Sequence, residues 1–213
     1  MLWRDKTMRL TRHYLKFFLS AWVALGAAQA VRGQALKTGE EAPTVEIFGG
    51  YSYLRADTLD TSHPFGLNGA SGSVAYNFNR VFGVVADFGF YHQGNVTGNG
   101  LSLNLSSYQA GPRFSLRNRR HLTPFAQALL GAGHAGGTLY TSSLGPGLAP
   151  LGASYALMVT AGVGLDWKLN HTVGIRVIQA EYLYSQFPNA SVSDNRQNNV
   201  RLSSGIVLSF GNR

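Results

Sequence analysis

A chain of 213 residues with 13% charged residues, 26 Gly and no Cys holds one domain or two small ones, and it excludes a disulfide framework, thiolate chemistry and a lipid-bearing N-terminal Cys. The formal net charge of +8 points first to a polyanionic partner, but five of the 18 Lys+Arg and one of the 10 Asp+Glu lie before residue 31. Beyond that point 13 basic residues face 9 acidic ones and +4 remains. No basic stripe interleaved with aromatics speaks for nucleic acid, so none is expected as a partner.

Residues 1–30 read as a leader. Arg4, Lys6, Arg9, Arg12 and Lys16 form a basic segment, residues 17–28 are an apolar run, and Ala28-Gln29-Ala30 is a small-x-small cleavage site. This is the pattern of a cleaved secretory signal peptide. The apolar run is too short for the ~20 residues of a spanning helix. Cleavage after Gly33 is the alternative. Residues 31–42 follow as a short periplasmic lead-in, and residues 43–213 form the domain.

From there the chain alternates. A strand shows successive side chains to opposite faces. Residues 44–54 place Val45, Ile47, Gly49, Tyr51 and Tyr53 on one face and Glu46, Phe48, Gly50 and Ser52 on the other. Residues 55–67 are a polar loop. Residues 68–79 set Gly72, Val74, Tyr76 and Phe78 against Ser71, Ser73, Ala75 and Asn77. After a tight Asn79-Arg80 turn, residues 81–92 set Phe82, Val84, Ala86, Phe88 and Phe90 against Asp87 and its neighbours. Residues 93–106 are a Gly/Asn/Ser loop. Residues 107–116 place Arg113 with Gln109 on the polar face, and the basic turn Arg117-Asn118-Arg119-Arg120-His121 follows.

Residues 122–133 show the weakest contrast, and residues 134–153 are a Gly- and Pro-rich loop. Residues 154–167 give a seventh apolar position at Trp167, with Asp166 on the other face. Residues 172–184 carry a conflict. Strict alternation puts Ile175, Val177, Gln179 and Glu181 on the apolar side with Arg176 opposite. A one-residue bulge near Val177 or Ile178 turns Gln179 and Glu181 inward and repairs it. Residues 185–198 are the last loop. The closing strand puts Val200, Leu202, Ile206, Leu208 and Phe210 opposite Arg201, Ser203, Gly205 and Ser209.

These are eight strands whose connections alternate long and short. The fold class that follows is all-β, an eight-stranded antiparallel up-and-down transmembrane β-barrel, with apolar residues outside and polar ones within. A soluble calycin-like barrel is the alternative, but its greasy face points inward, and the Ser, Asn, Asp, Arg and Gly of the second face suit a polar lumen. Pro112 and Pro124 cut against regular pairing.

The chain resembles the eight-stranded outer-membrane barrels typified by the OmpA transmembrane domain and OmpX. The residues that carry this are the leader, Gly49-Gly50-Tyr51-Ser52-Tyr53, the repeated dyad pattern and Gly205-Ile206-Val207-Leu208-Ser209-Phe210. The resemblance implies insertion in the cell outer membrane among its lipids. It also implies that the barrel-assembly machinery reads the last strand at Phe210, although Gly211-Asn212-Arg213 follow.

The candidate site is a lumen network of Glu46, Asp87, Arg113, Asp166, Arg176, Glu181 and Arg201. Asp87 with Arg113 is the first expected pair, and Arg176 with Glu181 or Asp166 the second. No catalytic, cofactor-binding or metal-binding residues are expected. Gly131-Ala132-Gly133-His134-Ala135-Gly136 fits G-x-G-x-x-G by letter only, since no helix pattern follows. His63, His92 and His134 lie in or near loops without a Ser partner motif. The expected role is structural or interactive: a polar, filled barrel presenting four loops to surface ligands. A narrow channel is the alternative and a lipid A-modifying enzyme the third reading.

Overall fold

The computed structural model describes residues 42–56, 65–95, 100, 102–117, 121–137, 154–187 and 196–212. The leader, the lead-in up to residue 41, His63 and most of each long loop lie outside the described residues. The domain is eight strands: β1 (Pro43–Ala56), β2 (Phe65–Asn77), β3 (Phe82–Gln93), β4 (Leu103–Ser115), β5 (Leu122–Gly136), β6 (Ser154–Lys168), β7 (Val173–Ser185) and β8 (Gln197–Asn212). Every neighbour is antiparallel and sequential, and β8 pairs with β1 to close the barrel.

Several strands run further toward the long loops than their hydrophobic pattern. β4 starts at Leu103, β5 continues to Gly136, β8 starts at Gln197, and β2 starts at Phe65. The ladder there needs no greasy outer face. Outward residues such as His92 and Asn104 are polar and still pair across β3 and β4. Alternation loses its contrast where both faces meet polar surroundings, so the sequence underestimates these ends. The Gly131–Gly136 stretch lies wholly within β5.

The outer face is apolar over its middle. Val163 is 60% exposed, Leu130 59%, Ile206 56% and Phe90 53%, values that fit a lipid-facing surface and not a water-facing one. Pro112 and Pro124 face outward. The register of β4 on β5 runs from Ala110↔Leu130 to Arg113↔Gln127, so the ladder is interrupted where Pro112 has no N–H to give.

Two details let the sheet close. Gly50 and Gly205 are partners across the β1–β8 seam. A Cβ on Gly50 would stand 2.7 Å from the Gly205 Cα, so the two backbones approach at a distance only Gly permits. In β7, Val177 and Ile178 both face outward, and the register against β8 shifts between Arg176 and Gln179. That bulge turns Gln179 and Glu181 into the lumen. The Ser204 hydroxyl, on the outer face, donates to the Arg176 carbonyl at 3.0 Å and satisfies a backbone group beside the irregularity.

Deleting Ile178 removes the extra residue and points Gln179 and Glu181 at lipid. The deletion variant should lose the heat-modifiable folded band in refolding gels, whereas Ile178→Ala, which keeps the count, should refold. A deletion variant that refolds as well as the parent would show that the bulge is dispensable.

Candidate functional site

An eight-stranded barrel has an interior just wide enough for side chains to fill. Here two different fillings are stacked along the axis. The half nearer the short turns is ionic; the half nearer the long loops carries an apolar cluster with a few uncharged polar side chains beside it.

Glu46, near the start of β1, accepts from Arg117 Nη2 at 2.9 Å and from Asn77 Nδ2 at 3.3 Å, and lies 4.0 Å from Arg113. Asp166 is shared. Arg113 Nη2 donates to its Oδ2 at 3.0 Å, while Arg176 donates through Nε to Oδ1 at 2.8 Å and through Nη2 to Oδ2 at 3.1 Å. The second contact is the two-pronged fork that guanidinium and carboxylate make best. Arg176 Nη1 also donates to Gln179 Oε1 at 2.6 Å. The guanidinium carbons of Arg113 and Arg176 lie 3.7 and 4.5 Å from the Phe125 ring centre, and that of Arg176 lies 4.2 Å from Phe48. The rings supply negative faces where two cations share one carboxylate.

Further along, Arg201 donates through Nε to Glu181 Oε2 at 2.5 Å and through Nη1 to Asp87 Oδ1 at 2.8 Å. Gln127 Nε2 donates to Glu181 Oε1 at 2.9 Å, and the Tyr91 hydroxyl lies 3.3 Å from Arg201. All seven sequence-proposed residues are buried and inward. Among the described residues, the four carboxylates Glu46, Asp87, Asp166 and Glu181 all sit in this lumen, facing Arg113, Arg117, Arg176 and Arg201.

The expected Asp87–Arg113 pair is not formed. Asp87 lies opposite Gln109 on β4, and Arg113 lies opposite Gly83, four positions nearer the turn. Arg113 therefore reaches across to Asp166, and Asp87 to Arg201. Adjacent strands do not imply equal depth. Of the second-ranked pairs, Arg176 is with Asp166, and Glu181 is with Arg201 instead. The sequence places Arg117 in the basic turn; its length lets it fold back from the end of β4 into the mouth, where Nη1 also donates to the Arg80 carbonyl at 2.8 Å. The only sequence signal for it was its place two residues beyond the inward Ser115, on the same face.

Beyond Arg201 the lumen holds a buried apolar cluster, with Asn199, Ser185 and Gln197 buried and hydrogen-bonded in a chain on the β7–β8 side. Leu54, Leu67, Tyr91, Leu105, Met158 and Leu183 are the centre of a buried cluster completed by Ala56, Leu103, Ala135, Ala156 and Phe187. The lumen is thus not polar throughout, as its sequence pattern implied. Inward Leu and Met near the strand ends do not break an alternation already weak there, so they pass unnoticed.

Two of the described histidines have neighbours on the outer face. His92 Nδ1 is 2.7 Å from Asn104 Oδ1 on the outer face, and the His134 ring packs 4.4 Å from that of Tyr155. Among the described residues no group of three or more His, Asp or Glu could hold a metal.

An apolar outside, a closed antiparallel ladder and an ionic inside define an eight-stranded transmembrane barrel of the outer-membrane type. No family model matches the sequence, and no curated protein matches it. Among solved structures the chain is similar to neisserial surface protein A, at 16% identity and a TM-score of 0.57, over 80% of this chain and 100% of that one. It is also similar to Ail, the attachment invasion locus protein of Yersinia pestis, solved in complex with the heparin analogue sucrose octasulfate, at 20% identity and a TM-score of 0.50, over 78% and 99% of the two chains. At these identities the likeness is one of fold.

Arg201→Met leaves Asp87 and Glu181 buried without their cation. Breaking a buried pair from one side costs about 3–5 kcal/mol. Urea unfolding in lipid vesicles should show that loss, and adding Asp87→Asn and Glu181→Gln should recover much of it. Single-mutant stability equal to the parent would mean that the network is not closed through Arg201.

Proposed function

We propose that this protein is an outer-membrane barrel with a structural or interaction role, whose stable, closed body presents four loops at the cell surface. The observation that carries this reading is the doubly filled lumen. A network of buried ion pairs occupies the turn half, and Leu54, Leu67, Met158 and Leu183 pack together in the loop half. A passing ion would have to break charge-assisted bonds and then cross an apolar constriction, and such constrictions close pores by excluding water. Outer-membrane barrels have short periplasmic turns and long outer loops, which puts the loops around 57–64, 96–101, 138–153 and 188–195 outside the cell. Export begins with the leader and its cleavage after Ala30, and Phe210 on β8 is the aromatic offered to the assembly machinery.

The loop partner is open in chemistry but not in charge. Residues 93–106 and 134–153 contain no Lys, Arg, Asp or Glu. The heparin analogue bound by the Yersinia protein is a polyanion, and these two uncharged loops give no support for the same ligand here. An uncharged polar partner fits them better. No group in the described residues supports an enzymatic reading over this one.

The channel reading has one observation in its favour. Ser107 Oγ, Gln109 Nε2, Gln127 Oε1, Asp87 Oδ2 and Arg201 Nη2 are buried without a protein partner. Polar atoms of this kind hold internal water in other proteins.

In planar bilayers the refolded chain should be electrically silent. Discrete conductance steps that change with Arg113→Glu would replace the closed-barrel reading by a gated pore. Expressed with its leader in a Gram-negative-type cell, the protein should be recovered from the outer-membrane fraction with Val31 as its first residue. Recovery of an intact leader in the inner membrane would overturn the export proposal.

A further inference from the structure

The barrel divides the charges of the chain by depth. Beyond the leader, Arg113, Arg117, Arg176 and Arg201 are matched inside the lumen by Glu46, Asp87, Asp166 and Glu181. In sequence, the loop end carries Arg55 and Arg196 against Asp57, Asp60 and Asp194, and the segments flanking β1 and β8 carry Arg32, Lys37 and Arg213 against Glu40 and Glu41. Those two groups cancel. The excess of +4 therefore belongs to the three short turns, which hold Arg80, Arg119, Arg120 and, at the end of β6, Lys168, with His121 and His171 and no acid. The turns also share a local pattern, an apolar residue followed by Asn and then a basic residue: Phe78-Asn79-Arg80, Leu169-Asn170-His171, and Leu116-Arg117-Asn118-Arg119 with one residue inserted. In the first, Asn79 Oδ1 accepts from the N–H groups of Val81 and Phe82 at 2.9 and 2.8 Å. In the second, Asn170 Oδ1 accepts from those of Thr172 and Val173 at 2.9 and 2.7 Å. An asparagine that bonds the backbone ahead of it fixes the turn. The apolar residues before them are half exposed, Phe78 at 49%, Leu116 at 50% and Leu169 at 50%. Around Arg80 they widen into a ledge of rings, Tyr76–Phe78–Phe82–Phe114, with successive centres 5.3, 5.7 and 5.3 Å apart.

We infer that the short-turn end is a docking surface that selects anionic phospholipids over zwitterionic ones. The inference rests on the outer-membrane reading above, which puts this end at the inner leaflet, and names the lipid class it takes there. Each cation near an anionic membrane surface is attracted to it, and the turns bring four without an opposing acid. Depth decides between a lipid and a more distant partner. Arg80 and His171 each follow their apolar anchor by two residues, so their backbones stay within about 7 Å of it. The headgroup layer is about 5–7 Å deep on each side of the hydrocarbon. Anchors at the edge of the hydrocarbon therefore hold the turn tips among the phosphates, and the asparagine bonds keep the turns from extending further. Trp167 followed by Lys168 repeats the arrangement on β6. An apolar group with a cation just beyond it matches an acyl chain with a phosphate just beyond it. An acidic cell-wall polymer would lie past the headgroups and has nothing to set against the exposed Phe and Leu.

The test is competitive lipid binding by the protein purified from the outer-membrane fraction. Phosphatidylglycerol and phosphatidylcholine with the same acyl chains are offered in equal amounts, and retained lipid is counted by native mass spectrometry. Phosphatidylglycerol should be enriched about fivefold, the preference that one cation near an anionic surface confers. The fourfold variant Arg80→Gln, Arg119→Gln, Arg120→Gln, Lys168→Gln should bring the ratio to parity. The loop-end variant Arg55→Gln, Arg196→Gln should keep the parent's preference, which separates the turn cations from cations in general. If the fourfold variant gives no heat-modifiable band, the pair Arg80→Gln, Arg119→Gln takes its place and should about halve the enrichment. Equal retention of the two lipids by the parent, or a preference lost in the loop-end variant and kept in the turn variants, would overturn the assignment and leave the barrel reading intact. Equal retention together with sedimentation on purified peptidoglycan that depends on the turn cations would give them to the cell-wall polymer instead. A protein absent from the outer-membrane fraction would overturn the outer-membrane reading itself.

Discussion

Hydrocarbon offers no hydrogen-bond partner to a peptide group, and everything else in this structure depends on that. Each unsatisfied N–H or C=O costs several kcal/mol there, so a sheet in lipid must have no edge. The β1–β8 seam meets that demand from Pro43↔Asn212 to Arg55↔Val200. The places where the ladder departs from regularity are the places where a compensating group is found. Ser204 serves the Arg176 carbonyl at the bulge, Gly50 and Gly205 let the seam close, and Pro112 faces outward where its missing donor interrupts the pairing.

Closure in turn creates the second problem, a narrow interior. Its solution divides the lumen. Ionic side chains are expensive to bury, and their mutual attraction repays the cost only with good geometry and further hydrogen bonds. The chain meets that condition with forked and shared contacts at Asp166, Glu181 and Glu46, and with Phe48 and Phe125 against the guanidiniums. Such a network fixes strand register, since sliding β1, β3, β4, β6, β7 or β8 by one residue would send a charge into lipid. The apolar cluster above it has no comparable directionality. It packs the lumen at the end that carries the long loops.

The strands were legible because lipid on one side and polar groups on the other enforce the alternation strictly over the belt. The bulge was legible for the same reason: Glu181 in lipid is improbable enough to expose a missing residue. Legibility ended at the belt. Leu103, Gly136 and Gln197 lie beyond it, where a continuing ladder leaves no hydrophobic trace. The Leu and Met cluster was missed because apolar residues facing the lumen break the expected polarity only where the outer face is no longer greasy. Arg117 was missed because a long side chain at a turn can fold back into the mouth.

The sequence by itself determined the strand number, the inward or outward direction of the residues in the belt and the identity of seven of the eight lumen ions, because side-chain direction in a strand follows parity. The tertiary structure decided who pairs with whom. Depth along the axis depends on the stagger between strands, which parity does not encode, and so Asp87 meets Arg201 across the barrel while Arg113, one strand away, belongs to Asp166.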